Sequence, residues 1–215
     1  MTSDVPVTSD ALAVWCRVRR QVDWASAVPA DAARPVRGRV DGLVAWYDGP
    51  VRQRDPARAD RLHAALARAR GDAARGEPLA PKLLADWQQL VLGEPDMPFR
   101  DGDAFAKGGR ERYGLTAHTW RDFADCLRES GDSGVPLPAR AARAYLDVAF
   151  FHPFANGNAR LALLALAHVL DLEGVRLDEV GPLVIARYAD DADGAADLAV
   201  LVNVLIRATR RRAGG

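Results

Sequence analysis

Apolar residues recur along most of this chain at intervals of three and four, the period of helices packed on one face, and seldom alternate as strands require. Asp10 is placed to cap a helix starting at Ala11, with Leu12, Trp15 and Val18 on one side. Residues 1–10 otherwise read as loose, and Trp24 to Arg37 as a connector. A second apolar group follows at Val40, Leu43, Val44, Trp46 and Tyr47. Asp55-Pro56 opens a helix with Leu62, Ala65, Leu66 and Ala69 on one face, since aspartate caps and proline suits the first helical position. Pro81 begins another, carrying Leu83, Leu84, Trp87, Leu90 and Val91. Helices are also predicted over 116–129, from Pro138 to Phe151, over Arg160–Glu173 and over 193–210, with Gly174 as a stop signal. The LALLALAHVL stretch is apolar almost all round, the mark of a helix at the centre of a bundle. The fold class is therefore all-α.

One strand signal interrupts this pattern. Asp103–Lys107 and Arg110–Gly114 flank Gly108-Gly109, a pair suited to the positive φ angles of a tight turn. The arms are weakly apolar, so they predict a small exposed flap.

Composition narrows the partners. The 29 basic and 29 acidic residues balance, so no global field draws in nucleic acid. The basic cluster Arg207, Arg210, Arg211 and Arg212 reads as a solvated helix end. No apolar run reaches the roughly 18 residues of a membrane span, and the first residues lack the pattern of a secretory signal. A cytoplasmic location is the expectation, with Cys16 and Cys126 as reduced thiols.

The stretch HPFANGNAR, His152 to Arg160, carries the candidate chemistry. It is a polar loop between two apolar helices. Pro153 disfavours right-handed helix at His152 and pushes it into an extended or turn geometry. Asn156-Gly157 supplies a turn, and Asn158 is suited to cap the next helix. The N–H groups of Gly157, Asn158, Ala159 and Arg160 then make an anion site at a helix start, reinforced by the arginine charge. His152 at the other end is able to exchange a proton near neutral pH. A base beside an anion cradle is the equipment of phosphoryl or nucleotidyl transfer. On spacing alone a histidine before proline and an Asn-Gly turn are also ordinary punctuation. His168 reads as a core histidine, and Asp190, Asp191 and Asp193 as a solvated cap. His63 and His118 lack partners at metal spacing.

These nine residues resemble the signature of the Fic/Doc family, HPFx(D/E)GNGRxxR, with His152, Pro153, Phe154, Gly157, Asn158 and Arg160 in place. The flanking helices, the Leu-Trp helix 83–91, Phe99-Arg100 and the hairpin are similar too, over roughly residues 58–205. The resemblance implies a Fic-type helical bundle with a flap. Residues 1–57 would form an N-terminal helical extension, 58–210 the core and 211–215 a disordered tail. It implies a nucleoside triphosphate donor such as ATP and transfer of its AMP part, or a related phosphate-containing group, to a Ser, Thr or Tyr hydroxyl of a protein. His152 would be the base, and Gly157, Asn158, Ala159 and Arg160 would hold phosphate. Phe154 would anchor the loop. The flap residues Lys107, Gly108, Gly109 and Arg110 would meet the target.

Three positions depart from the signature. Asn156 stands where the family has an acidic Mg²⁺ ligand, and a neutral amide is a weaker ligand. Ala159 replaces glycine, and Leu163 replaces the second arginine. No Ser or Thr has Glu four residues later, so the family's inhibitory Ser/Thr-x-x-x-Glu-Gly/Asn helix is not expected. Control by an external, antitoxin-like inhibitor stays open. So do two alternatives to a nucleotidyltransferase: a degenerate nucleotide- or protein-binding module on this fold, and a Doc-like kinase or toxin.

Overall fold

A computed structural model of the chain describes residues 9–29 and 34–215; the loose opening and part of the Trp24–Arg37 connector lie outside these residues. The architecture is helical, as the periodicity predicts. At its centre stands α8 (Asn158–Leu172), buried along most of its length. A helix apolar on every side is stable only when neighbours surround it. Along it runs α7 (Leu137–Phe151), the pair with the most extensive contact in the molecule. On the outside, α9 (Ala192–Gly214) covers α7, while α4 (Pro56–Ala74) packs against α8. Next, α5 (Pro81–Leu92) fills the angle between α4 and α8, and α6 (Thr119–Arg128) leans on α7. Leu161 and Leu164 are fully buried in this centre, each contributing roughly 1.5–3 kcal/mol by removal from water.

The starts predicted at Ala11 and Pro56 are made as expected, while α6 begins at Thr119 and α8 at Asn158. Asp10 accepts from the Leu12 and Ala13 amides at 3.0 and 3.1 Å to cap α1 (Ala11–Gln21). Asp55 accepts from the Arg58 amide at 2.9 Å, ahead of Pro56. Helix α1 is tied to the bundle by a buried carboxylate. Asp147 on α7 accepts from Trp15 Nε1 at 3.0 Å and from Arg19 Nε and Nη2 at 2.7 and 3.0 Å. Three donors on one fully buried carboxylate answer the cost of its desolvation. His168 is a core histidine, its nitrogens 3.2 and 2.8 Å from the Ala69 and Glu77 carbonyls.

Three elements go beyond the sequence reading. The apolar group at 40–47 forms α2 (Gly42–Trp46), a π-helical turn (Tyr47–Val51) containing Pro50, and the short α3 (Arg52–Arg54). A two-residue parallel pair joins β1 (Val36–Arg37) to β4 (Val175–Arg176), too short to leave an alternating pattern. The last helix continues to Gly214, through most of the residues read as a tail. The flap is present: β2 (Ala104–Ala106) pairs antiparallel with β3 (Glu111–Tyr113), with Ala104 opposite Tyr113.

Candidate active site

The loop from His152 to Gly157 joins the two central helices, so both of its ends are fixed by the core. Phe154 is fully buried and stacked on Phe99 at 5.1 Å, the anchoring its position implies. His152 ends α7 in the left-handed region (φ 49°, ψ 56°). Extended geometry, one of the two outcomes expected before Pro153, is not adopted. A non-glycine residue in this region costs on the order of 1–3 kcal/mol and persists only where its surroundings hold it. Here Arg100, buried to 8 % exposure, supplies that hold. Its Nε donates to the His152 carbonyl at 2.9 Å and its Nη2 to Phe151 O at 3.3 Å. The same side chain donates to Gly102 O at 2.6 Å and Gly114 O at 3.3 Å, on either side of the flap.

The His152 ring is stacked on Tyr113 of β3, with centroids 4.5 Å apart and planes 11° from parallel. Nδ1 lies 3.4 Å from the Ala149 carbonyl. A carbonyl only accepts, so Nδ1 carries the proton and Nε2 keeps its lone pair in the neutral ring. Burial lowers the His152 pKa from 6.5, the Ala149 contact opposing it. The neutral, base-competent form is thereby favoured. Tyr113 is itself oriented by a 2.5 Å bond to Glu111. Lys107, expected at the target surface, turns inward instead. Its Nζ donates to Glu111 at 2.7 Å and to the Arg187 carbonyl at 2.7 Å, and sits 3.9 Å over the Tyr188 ring. Arg110 Nε donates to the Lys107 carbonyl at 2.9 Å, across a turn in which Gly108 and Gly109 have φ of 69° and 85°.

At the other end of the loop the expected cap is reassigned. Gly157 (φ 82°) is the N-cap residue, and a Cβ there would come within 2.5 Å of Gln88 Nε2. Asn158 is consequently the first helical residue. Its buried amide turns back to bracket Phe154, accepting from the Phe154 N–H at 3.0 Å and donating to the Phe154 carbonyl at 2.7 Å. Asn158 thus shapes the loop and does not present its side chain to a ligand. The four-donor cradle is reduced as well. Gly157 N–H donates to Asn156 Oδ1 at 2.6 Å, and Arg160 N–H to the Gly157 carbonyl at 3.0 Å. The N–H groups of Asn158 and Ala159 have no partner among the described residues.

Asn156 does not fit the metal role. Its Oδ1 already accepts from Gly157 N–H and faces Arg160 Nη2 at 3.4 Å, a cationic setting hostile to Mg²⁺. Among the described residues no group of three or more His, Cys, Asp or Glu is placed to hold a metal ion. Asp191 is a cap, accepting from Gly194 N–H at 2.7 Å.

Ala159, Arg160 and Leu163 open onto a cavity of about 430 Å³ whose other walls include Trp46, Tyr145 and Ile185. This size suits a small molecule. His152 is not among the lining residues. His152 thus faces Tyr113 of the flap, and Arg160 lines the cavity. Arg160 sits below its usual pKa, through burial first and then the neighbouring charges of Arg58 and Arg61.

Sequence reasoning missed Arg100 as the organiser, Tyr113 as the stacking partner and Gln88, whose Nε2 donates to the Asn156 carbonyl at 2.5 Å. These act across 52, 39 and 68 residues of chain, and only Phe99-Arg100 had drawn attention.

Comparison with known proteins bears on the fold. A family model described as the Fic/DOC family matches residues 78–170. Among solved structures, a Fic domain containing signaling protein from Bacteroides thetaiotaomicron is 18% identical with a TM-score of 0.50, covering 74% of this chain and 71% of that one. An IbpAFic2 variant in complex with adenylylated Cdc42 is 13% identical with a TM-score of 0.54, covering 93% and 70%. Fic-1 from C. elegans is 14% identical with a TM-score of 0.51, covering 95% and 71%. No curated protein matches this chain by sequence. No helix among the described residues is long and apolar enough to cross a membrane. Residues 78–170 thus match the Fic/DOC family model, and the chain has the helical fold of the solved Fic structures.

Proposed function

We propose that this chain transfers a nucleotidyl (AMP-like) or related phosphate-containing group from a nucleoside triphosphate such as ATP to a Ser, Thr or Tyr hydroxyl of a protein. The observation that carries this reading is one loop with a half-buried histidine at one end, its Nε2 without a partner among the described residues, and a cavity-lining arginine at the other. In the proposed step His152 Nε2 takes the proton of the hydroxyl. The oxygen attacks the α-phosphorus of the donor. The bond from that phosphorus to the bridging oxygen breaks, and pyrophosphate leaves. Arg160 and the Ala159 N–H face the phosphate as charge shifts onto it. Asn156 supplies no carboxylate, so no step is assigned to a protein-held metal. The fold neighbour in complex with adenylylated Cdc42 is consistent with a protein acceptor; for this chain the acceptor is proposed as one that pairs with the flap.

A second reading has its own support. Asn156 already occupies two of the donors an anion would use, and Leu163 leaves that wall of the cavity apolar. Both features suit a module that binds nucleotide without turnover. The test incubates the protein, in a mixture of candidate acceptors, with ATP labelled at the α- or the γ-phosphate, and measures the mass of modified proteins. Transfer of the α-label, lost in His152→Ala with nucleotide binding retained, is the expected result. Undiminished transfer by that variant removes the base role. Label from the γ-position alone identifies a kinase, and binding without transfer identifies the module.

A further inference from the structure

The cavity beside α8 is unequal in charge. Its lining holds Arg54, Arg58 and Arg160, and no carboxylate. Arg160 comes from the start of α8, whereas Arg54 and Arg58 come from the end of α3 and the first turn of α4. Arg58 pairs with Asp55 at 3.1 Å. Arg54 has no ion-pair or hydrogen-bond partner among the described residues, and the one side-chain bond of Arg160 is the 3.4 Å contact to a neutral amide. Arg61, one turn beyond Arg58, adds its charge to the same field, and its Nε is buried without a partner among the described residues. Several guanidiniums collected with a single carboxylate repel one another. Ordinary surface arginines avoid this by pairing or by moving apart, as Arg52 does with Asp60 at 2.8 Å.

The remaining walls are aromatic and aliphatic, with Trp46, Tyr47 and Tyr145 the largest side chains. A flat apolar body would lie against those walls and an extended anion along the arginines. Leu163 places nothing cationic on α8 beyond Arg160. An anion reaching past the start of α8 therefore meets its next positive charge on α3 and α4.

We infer that Arg54 and Arg58 form a clamp for the distal phosphates of a nucleoside polyphosphate whose inner phosphate sits at Ala159 and Arg160. This inference rests on the donor reading above and adds to it the requirement for a polyphosphate tail. Planar guanidiniums suit this task because each offers parallel N–H donors to phosphate oxygens. A nucleoside monophosphate reaches Arg160 and stops short of the clamp.

The test is calorimetric titration of ATP and of AMP into the unmodified chain, into the double variant Arg54→Ala/Arg58→Ala, and into Arg160→Ala. Both clamp residues are exposed, so the double variant keeps its fold, which thermal unfolding verifies. The unmodified chain is expected to bind ATP more tightly than AMP. The double variant loses roughly tenfold or more in ATP affinity, the scale of one or two charge-assisted bonds, with AMP affinity changed less than about twofold. Arg160→Ala weakens both ligands. Unchanged ATP affinity in the double variant, or an equal loss for AMP, overturns the clamp and leaves the donor reading standing. If the unmodified chain binds neither nucleotide, the donor reading falls and the clamp with it.

Discussion

Replacing Arg100 by alanine removes the cation on which four backbone carbonyls converge: Gly102, Gly114, Phe151 and His152. Two of the contacts are short, 2.9 and 2.6 Å, and two are long at 3.3 Å. At about 1 kcal/mol net for an ordinary bond and less for a long one, with the carbonyls left inside the protein, the loss is about 3–4 kcal/mol. A domain of typical stability, about 5–15 kcal/mol, stays folded after that loss. The damage is local, because among the described residues no other side chain bonds the His152 backbone in its left-handed conformation. Urea denaturation gives the stability change, and amide exchange at residues 100–114 and 151–154 locates it. Arg100→Lys keeps the charge on one nitrogen that cannot span the four acceptors, and is expected to recover less than half of the loss. A change below about 1 kcal/mol, with exchange in both segments unaltered, would refute the hub role of Arg100.

Two further outcomes follow from the loop. Gly157→Ala places a Cβ against Gln88 in a backbone with φ 82°, costing about 1–3 kcal/mol in a thermal or denaturant melt; a variant as stable as its parent would show that the turn relaxes freely. Burial holds the folded His152 below 6.5, so as pH falls from 6.5 toward the folded value the unfolded chain binds a proton that the folded chain does not, and stability declines across that window. Over the same range the neutral ring persists, so the acid limb of the transfer rate lies below 6.5, and an imidazole titration by NMR with a midpoint above 6.5 would contradict this.

What the sequence disclosed and what it hid divide along a physical line. Helix faces are legible because burial imposes a period: Leu62, Ala65, Leu66 and Ala69 fall on one side of α4 and are buried together. Phe154 and the flap turn are legible because their cues lie within a few residues. The role of Asn158 was misread because capping was judged from residue type alone; with Gly157 free to adopt positive φ, the cap shifts one position and the asparagine turns inward. Arg100, Gln88 and Tyr113 act on the loop from elsewhere in the chain, and no local pattern marks a residue whose partners are distant carbonyls. The segment Gly42–Arg54 escaped because Gly49-Pro50 breaks its pattern within two turns.

The amide oxygen of Asn156 rests on the Gly157 N–H and beside Arg160, where an arriving anion would seek its own contacts. The site therefore contains its own competitor. An incoming group gains only the difference between its bonds and those it displaces, and the exposed asparagine yields by a simple side-chain rotation. On the proposed reading, an anion at the α8 start finds the Asn158 and Ala159 N–H groups without a partner among the described residues, and must displace Asn156 to gain the Gly157 N–H as well.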